Sequence, residues 1–335
     1  MPPPTEAPVS VGADVSLRRP GAGRAVAVLV LVAVAALIPL LGPRAALDGT
    51  GEAAAPGVGV IALLRAVLFA ALCVQAGEVF AGFLARRVDP SREPPRIWSA
   101  YAPWAGFAAA LGLASVVASG NLIPHSVAAL DIGGLGGTRD GTLALVEVNG
   151  FLLAGLCARR RPATALLPLA AVAVAEALRA HPAAEDGALL GSGLTLVHLT
   201  CAALWVGGLL YVLRTTHAWR TTAPEAGTAL LGLYARVAAA LLAAITATGV
   251  CSTLRRMPPS TILDQLATTA YGRVLLAKVL LVAVVAGLAL AARLRLRRAP
   301  DRGNAYAPAR AEIVILTVVV AVSAALTALP VPIRW

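Results

Sequence analysis

Nine long apolar stretches divide the chain, and they restrict its possible folds more than any other feature of the sequence. They occupy residues 25–41, 58–84, 99–119, 142–158, 162–178, 189–213, 229–251, 271–292 and 311–329. Each is long enough to cross the hydrocarbon core of a bilayer as a helix, which takes about 17–25 residues. Only helices and closed barrels satisfy their backbone hydrogen bonds in lipid, and apolar runs without alternation indicate helices. We therefore predict an all-α polytopic integral membrane helical bundle of about nine transmembrane helices.

The first span has two possible interpretations. Residues 1–24 precede it, and because the first 23 residues contain five prolines and no apolar run, we predict a disordered cytoplasmic tail there. Basic residues, an apolar run and then Ala45-Ala46 would also suit a cleaved signal peptide. The length of the run and the position of Arg44 beside the cleavage point favour an uncleaved anchor. Cleavage would leave eight helices in the same orientation.

The basic residues predict the orientation of the helices. The net charge is +11, with 28 basic residues against 17 acidic ones. Alternate connections, counted from the N-terminus, hold 18 of the arginines, whereas the opposite connections hold six. By the positive-inside rule the N-terminus is cytoplasmic and the C-terminus is external. The positive charge is thus a topology signal, and we expect no nucleic acid as a partner.

His198 is the residue within a span that suggests chemistry most directly. It lies near the middle of the sixth span, with Cys201 three residues later and Trp205 seven residues later. This spacing puts all three side chains on one helix face. Imidazole and thiolate are good ligands for copper or zinc, and thiolate selects Cu(I). The alternative is a histidine that hydrogen-bonds a neighbouring helix, with Cys201 as a small core residue.

A second group of candidate ligands lies in the connections predicted to be external. His181, with Glu185 and Asp186, directly precedes the sixth span, and His125 lies in the connection 120–141. Together these side chains could capture a divalent ion at an outer mouth, or they could form an ordinary solvated loop.

Further ionisable and polar side chains lie in or near the spans: Glu78, Glu147, Asn149, Glu176, Arg65, Arg236, Arg273 and Lys278. Buried charges in lipid usually pair with one another. An ion-pair network that holds helices together is therefore the expected role, and a proton or metal path is the alternative.

Motifs of soluble catalysis are missing from the sequence. The four cysteines show no CxxC spacing, so a disulfide framework is unsupported. There is also no phosphate-binding P-loop, no GxGxxG unit and no HExxH zinc motif. We expect that the protein is not an enzyme.

Three segments resemble the copper-resistance D (CopD) family. HLTCAALWVGGLLYVLR, which begins at His198, resembles the signature helix of the family. LYARVAAALLAAITATGV resembles the arginine-containing helix that ends in a Thr-Gly pair, here Thr248-Gly249. TTAYGRVLLAKVLL resembles the Tyr-Gly-Arg…Lys helix, and the last span opens with Glu312 and closes in Pro330, as in the family.

The resemblance covers residues 189–332 and implies a CopD-like transmembrane domain there, preceded by N-terminal transmembrane helices at 25–188. Family members are inner-membrane proteins of about eight helices associated with copper uptake or tolerance. His198 and Trp205 match the signature helix, and Arg273 and Lys278 match the Tyr-Gly-Arg…Lys helix. The family often has a Gly-His pair before the signature helix. Here it reads Ala180-His181, so the histidine matches and the glycine does not.

The resemblance implies copper import or copper resistance at a bacterial plasma (inner) membrane, with copper ion as substrate. We expect capture at His181, a relay at His198 and Cys201, and transport or structural roles for Trp205, Arg273, Lys278 and Glu147. The alternative is a non-transporting accessory protein for copper delivery or oxidase assembly. The expected partners are the lipid bilayer and a periplasmic or extracellular copper-binding protein. A bis-His haem protein is disfavoured because only His198 lies within a span.

Overall fold

The computed structural model describes residues 22–92, 95, 100–126, 128, 130–160, 162–298 and 306–331, and these residues form ten α-helices and no strand. The helices are α1 Ala22–Leu47, α2 Val58–Val88, α3 Ala102–Ala118, α4 Arg139–Arg160, α5 Leu166–Arg179, α6 Ala188–Trp219, α7 Pro224–Arg256, α8 Ile262–Thr268, α9 Ala270–Arg298 and α10 Tyr306–Thr327. The predicted all-α membrane bundle is confirmed. The tail predicted at residues 1–24 lies almost wholly outside the described residues.

Within the described part of the chain, six helices are long and apolar enough to cross a membrane: α1, α2, α4, α6, α7 and α9. Two shorter apolar helices, Ala102–Ala118 and Ala311–Thr327, correspond to the third and ninth predicted spans. The fifth predicted span differs, because it begins with the 3₁₀ turn Pro162–Ala165 and continues as a 14-residue helix. At about 1.5 Å per residue, α5 alone extends only about 21 Å. The short helix α8, between α7 and α9, was not predicted.

The two largest hydrophobic clusters of the described residues lie in the interior, and α2 and α6 contribute to both. One cluster includes Leu68, Leu113, Phe151 and Val172, which come from α2 to α5. The other is built around Trp205 and residues of α2, α6, α7 and α10. Because α2 and α6 stand between the two halves, side chains at their contact lie near the centre of the bundle.

Glycines let α2 and α6 approach closely. A Cβ atom on Gly207 would overlap the carbonyl oxygen of Cys73, and one on Gly77 would overlap the backbone of Gly207. Small residues at such crossings allow membrane helices to gain close van der Waals packing without help from the hydrophobic effect. The crossing therefore requires glycine at both positions.

Several connections meet at one end of the bundle, which we call the Arg255 face. Arg273 donates to the carbonyl of Asp48 over 2.9 Å. The backbone N–H of Ala270 donates to Glu52 over 3.1 Å. Arg255 donates to the carbonyl of Asp186 over 3.0 Å. The sequence places all of these connections in the external set, so the structure agrees with the predicted alternation of the spans.

The opposite end, the Arg92 face, joins the end of α2 to the α6–α7 connection. Arg92 donates to the carbonyl of Thr222 over 3.1 Å. Ser91 donates to Asp89 over 2.6 Å. This hydrogen bond and the nearby Arg92 lower the pKa of the half-buried Asp89 carboxyl. The compartment that each face meets remains a prediction from the arginine distribution.

Cysteine labelling tests that orientation. In a chain whose four native cysteines are replaced by alanine, Ser260→Cys on the Arg255 face is expected to react with a membrane-impermeant maleimide in intact cells. Thr221→Cys on the Arg92 face is expected to react only after permeabilisation. Both positions are exposed, so a difference in labelling reports the compartment and not burial. The reverse pattern would overturn the predicted orientation.

Candidate functional site

A cavity of about 230 Å³ lies among α2, α5, α6, α7, α9 and α10. Its ionisable wall residues are Arg65, Glu176, Arg179, His198, Arg256 and Lys278, together with Cys73 and Tyr271, and the rest of the wall is mainly apolar. A water molecule takes up about 30 Å³ in the liquid, so the cavity is large enough for a small ligand.

The cavity extends from the Arg255 face towards the middle of the bundle. Arg179 and Arg256 are the last residues of α5 and α7. His198 lies ten residues after the start of α6 and Lys278 eight residues after the start of α9, which corresponds to depths of about 15 Å and about 12 Å. Arginines thus stand at the mouth, and the histidine and the lysine stand deeper.

The hydrogen bonds of His198 define its tautomer. Nδ1 lies 3.0 Å from Oγ1 of Thr248. The Thr248 hydroxyl has one proton, and it lies 2.7 Å from the carbonyl oxygen of Ala244, to which it donates. Nδ1 is therefore the protonated nitrogen, and it donates to Thr248.

Nε2 of His198 is consequently left with a free lone pair. Histidines that ligate metals typically donate their other ring N–H to a backbone carbonyl or a polar side chain, which fixes the orientation of the ring. His198 shows this arrangement, with Thr248 as the orienting group. The sequence left two roles open for His198, a metal ligand or a hydrogen bond to a neighbouring helix. The hydrogen bond to α7 is present, and it still leaves one ring nitrogen available as a ligand.

Lys278 stands on the same wall as His198. The expected ion pair is not found, since Lys278 has no hydrogen bond or ion pair with any described residue. The positive charge of Lys278 acts on His198. The cation is therefore free to interact with whatever occupies the cavity.

The predicted ion-pair network exists on the α4–α5 side of the cavity. Nη2 of Arg179 lies 3.0 Å from Oε2 of Glu147, whose side chain is fully buried. The N–H does not point at the oxygen, so the contact is an ion pair without a well-aligned hydrogen bond. Glu176 and Arg65 also interact with Glu147, and Arg65 donates to the carbonyl of Thr327 over 2.9 Å. These four side chains link α2, α4, α5 and α10.

The three residues of the Tyr-Gly-Arg segment at the start of α9 make different contacts. Tyr271 faces the cavity and accepts a hydrogen bond of 3.0 Å from Arg256. A Cβ on Gly272 would overlap the carbonyl of Gln265, so glycine lets α9 pack against α8. Arg273 lies away from the cavity wall and donates to the carbonyl of Ala267 over 3.0 Å. We conclude that Arg273 links the connections of the Arg255 face to one another and does not contact the cavity.

His181 is buried and both of its ring nitrogens are engaged. Nδ1 lies 2.8 Å from Glu185 and Nε2 lies 2.9 Å from Thr195. Arg139 donates to its backbone carbonyl over 3.1 Å. His125, by contrast, is exposed. In this arrangement His181 fastens the α5–α6 connection to α6, and a metal ion would have to displace one of its partners.

The sequence predicted that His198, Cys201 and Trp205 share one helix face, but the structure places Cys201 apart from the other two. Trp205 lines the cavity as His198 does, and its carbonyl accepts a hydrogen bond from Tyr234. Cys201 does not line the cavity and packs instead against the second hydrophobic cluster. Cys73, on α2, does line it. No three side chains of the His, Cys, Asp and Glu types gather into a metal site within the described part of the chain.

A bundle of long apolar helices around a charged internal cavity defines this protein as a polytopic membrane protein. Residues 228–326 match the family model for copper resistance protein D (CopD). The CopD resemblance is therefore confirmed over that region, which holds Thr248, Tyr271 and Lys278. His198 precedes the matched region. No curated protein and no solved structure matches the chain.

Proposed function

We propose that the protein moves copper ions into or across the membrane through this cavity, with His198 as the protein ligand. The observation that carries the proposal is the free Nε2 lone pair of His198, oriented by Thr248 in the CopD region. Neutral imidazole nitrogen suits copper. A single oriented imidazole supports a transit contact, because a permeating ion must also leave its site.

Motif residues from three segments meet at the cavity, which supports a shared role. His198 and Trp205 come from α6, Tyr271 and Lys278 come from α9, and all four line the wall. Thr248, from α7, holds the imidazole. Cys73 adds a sulfur ligand of the kind that Cu(I) prefers.

The inner end of the cavity, where α2 and α6 cross, favours a second candidate function. Beyond Cys73 the cavity meets the Gly77–Gly207 crossing, where the backbones of α2 and α6 touch. A small pocket beside Glu78 and Arg214 lies past this crossing. The described lining residues at helix ends, Arg179, Arg256 and Tyr271, all belong to the Arg255 face, and this suits copper hand-over to a partner protein at that face.

Total cellular copper, measured by mass spectrometry, tests the proposal. We compare cells that lack the protein, cells that express it and cells that express His198→Ala. The wild-type protein is expected to change cellular copper, and His198→Ala is expected to return it to the level of cells without the protein. The reason is that alanine removes the only nitrogen ligand found on the cavity wall among the described residues.

His217→Ala is the matched control, because this histidine is exposed at the other end of α6. It is expected to behave as wild type at equal abundance in the membrane.

Thr248→Ser keeps the hydroxyl and should retain the copper change, whereas Thr248→Val should reduce it. Normal copper handling by His198→Ala would show that the ligand assignment is wrong. Unchanged total copper with altered metallation of a client protein would replace transport by delivery.

A further inference from the structure

The cavity wall carries more positive charge than its acidic residues can balance. Among the described residues, four cationic side chains line it, namely Arg65, Arg179, Arg256 and Lys278, and Glu176 is the one acidic side chain. Glu147 lies directly behind Arg179. Even when both carboxyl groups are ionised, they offset only two of the four cations.

The excess charge belongs to Lys278 and Arg256. Arg65 and Arg179 lie in the cluster with Glu147 and Glu176. Arg256 donates to the Tyr271 hydroxyl, and its guanidinium stands 5.9 Å from the ring centroid, but neither contact supplies a negative charge. Lys278 has no hydrogen-bonding or ion-pairing partner in the described part of the chain.

Unbalanced charge inside a membrane protein needs an explanation. Ionisable groups in membrane segments pair with one another or mark the path of a substrate. Here the apolar wall lowers the local dielectric constant, which strengthens the attraction between a cation and an incoming anion. We propose that the cavity binds an oxyanion, a phosphate or carboxylate group, with its negative oxygen against Lys278.

The two cations act in sequence along the cavity. Arg256 contacts Tyr271, and Lys278 lies seven residues further along α9, or about 10 Å deeper. Arg256 at the mouth therefore attracts the anion, since clefts lined by one sign of charge concentrate the opposite ion. Lys278 then holds it beside His198.

His198 narrows the class of ligand further. Its free Nε2 lone pair repels a bare anionic oxygen but accepts a hydrogen bond from a hydroxyl group, or binds a metal ion. The fitting oxyanion thus carries either an O–H group, as dihydrogen phosphate does, or a bound metal cation. In the second case copper enters together with an anionic ligand, which also reduces the repulsion between the metal ion and Lys278. The anion site itself does not depend on copper.

Thermal unfolding of the purified full-length protein, followed by tryptophan fluorescence without copper, tests the site. Inorganic phosphate is added against sodium chloride of equal ionic strength, and phosphatidylglycerol is compared with phosphatidylcholine in mixed micelles. A saturable rise in Tm is expected with phosphate if the ligand is a soluble anion. A rise with phosphatidylglycerol alone identifies a lipid phosphate as the source.

Lys278→Met is expected to weaken this stabilisation about tenfold in ligand concentration, because a charge-assisted hydrogen bond is lost. Lys278→Arg should retain it, which separates binding from a folding defect. Arg220→Gln, an exposed cation on the Arg92 face, should match wild type. Equal stabilisation in Lys278→Met, or none from either anion in wild type, would overturn the proposal. Neither result would alter the outcome of the copper measurement.

Discussion

Gly207→Ala is expected to destabilise the bundle strongly and to lower its abundance in the membrane. The added Cβ would overlap the carbonyl oxygen of Cys73, which belongs to the backbone of the neighbouring helix and cannot rotate away. Overpacking of a tight core typically costs about 1–3 kcal/mol and occasionally more. Because α2 and α6 contribute to both hydrophobic clusters, their separation would loosen both halves. The measurement is Tm in detergent, with abundance followed by fluorescence of a fused reporter.

Gly232→Ala provides the matched control for this experiment. Gly232 also lies inside a long helix, α7, but a Cβ there would meet no atom within 4 Å. Alanine has the higher helix propensity by about 1 kcal/mol, so Gly232→Ala should leave Tm unchanged or raise it. Gly77→Ala should resemble Gly207→Ala, since the two glycines share one contact. If Gly207→Ala matched Gly232→Ala, the close crossing would not exist in the membrane.

The helical type of the spans, and the positions of most of them, could be predicted from the sequence because the bilayer sets one simple condition. An apolar run of sufficient length, such as 58–84 or 271–292, satisfies that condition whatever its neighbours are. The fifth predicted span is not one continuous long helix, because a proline at 162 and a second at 168 leave only a short regular helix. The helix α8 was missed because seven residues give too little periodicity to detect.

The faces of the helices were harder to predict. A helix that is apolar all round gives no moment to indicate its inner side, so the position of Cys73 on the cavity wall had no signal in α2 alone. Cys201 shares a helix face with His198 by spacing, but Trp205 lines the cavity whereas Cys201 packs against the second hydrophobic cluster. The segments that resemble the CopD family supplied His198, Tyr271 and Lys278, and in the structure all three line the cavity. Their meeting point depends on how α6, α7 and α9 pack.

The hydrogen-bond partners of His181 could also be identified only from the structure. The sequence shows a histidine near two acids, which is a common appearance of a metal ligand. The fold instead places Glu185 and Thr195 on its two ring nitrogens. Whether a ligand is free depends on such local partners, and spacing alone does not report them.

Arg179→Met is expected to destabilise the protein, by at most about 3–5 kcal/mol, because it removes the cation closest to the buried carboxyl of Glu147 and leaves Arg65 as the remaining cation that interacts with it. The Glu147 side chain is fully buried and that of Arg179 is 10% exposed, so water cannot replace the lost cation. Glu147→Gln should cost less, since the amide is neutral and Arg179 lies at the end of α5, nearer to water. Tm and abundance of the single variants and of the double variant form a double-mutant cycle.

The double variant Glu147→Gln/Arg179→Met should be more stable than Arg179→Met alone, because it removes the isolated charge together with its partner. A double variant as unstable as the sum of the single variants would show that the two charges do not interact. The same protein also decides between the two roles of the cluster. If the stable double variant still changes cellular copper, the cluster only joins α4 to α5. If it folds and no longer changes cellular copper, the carboxylates belong to the path, and their position beside the cationic wall would then serve to balance charge as the substrate passes.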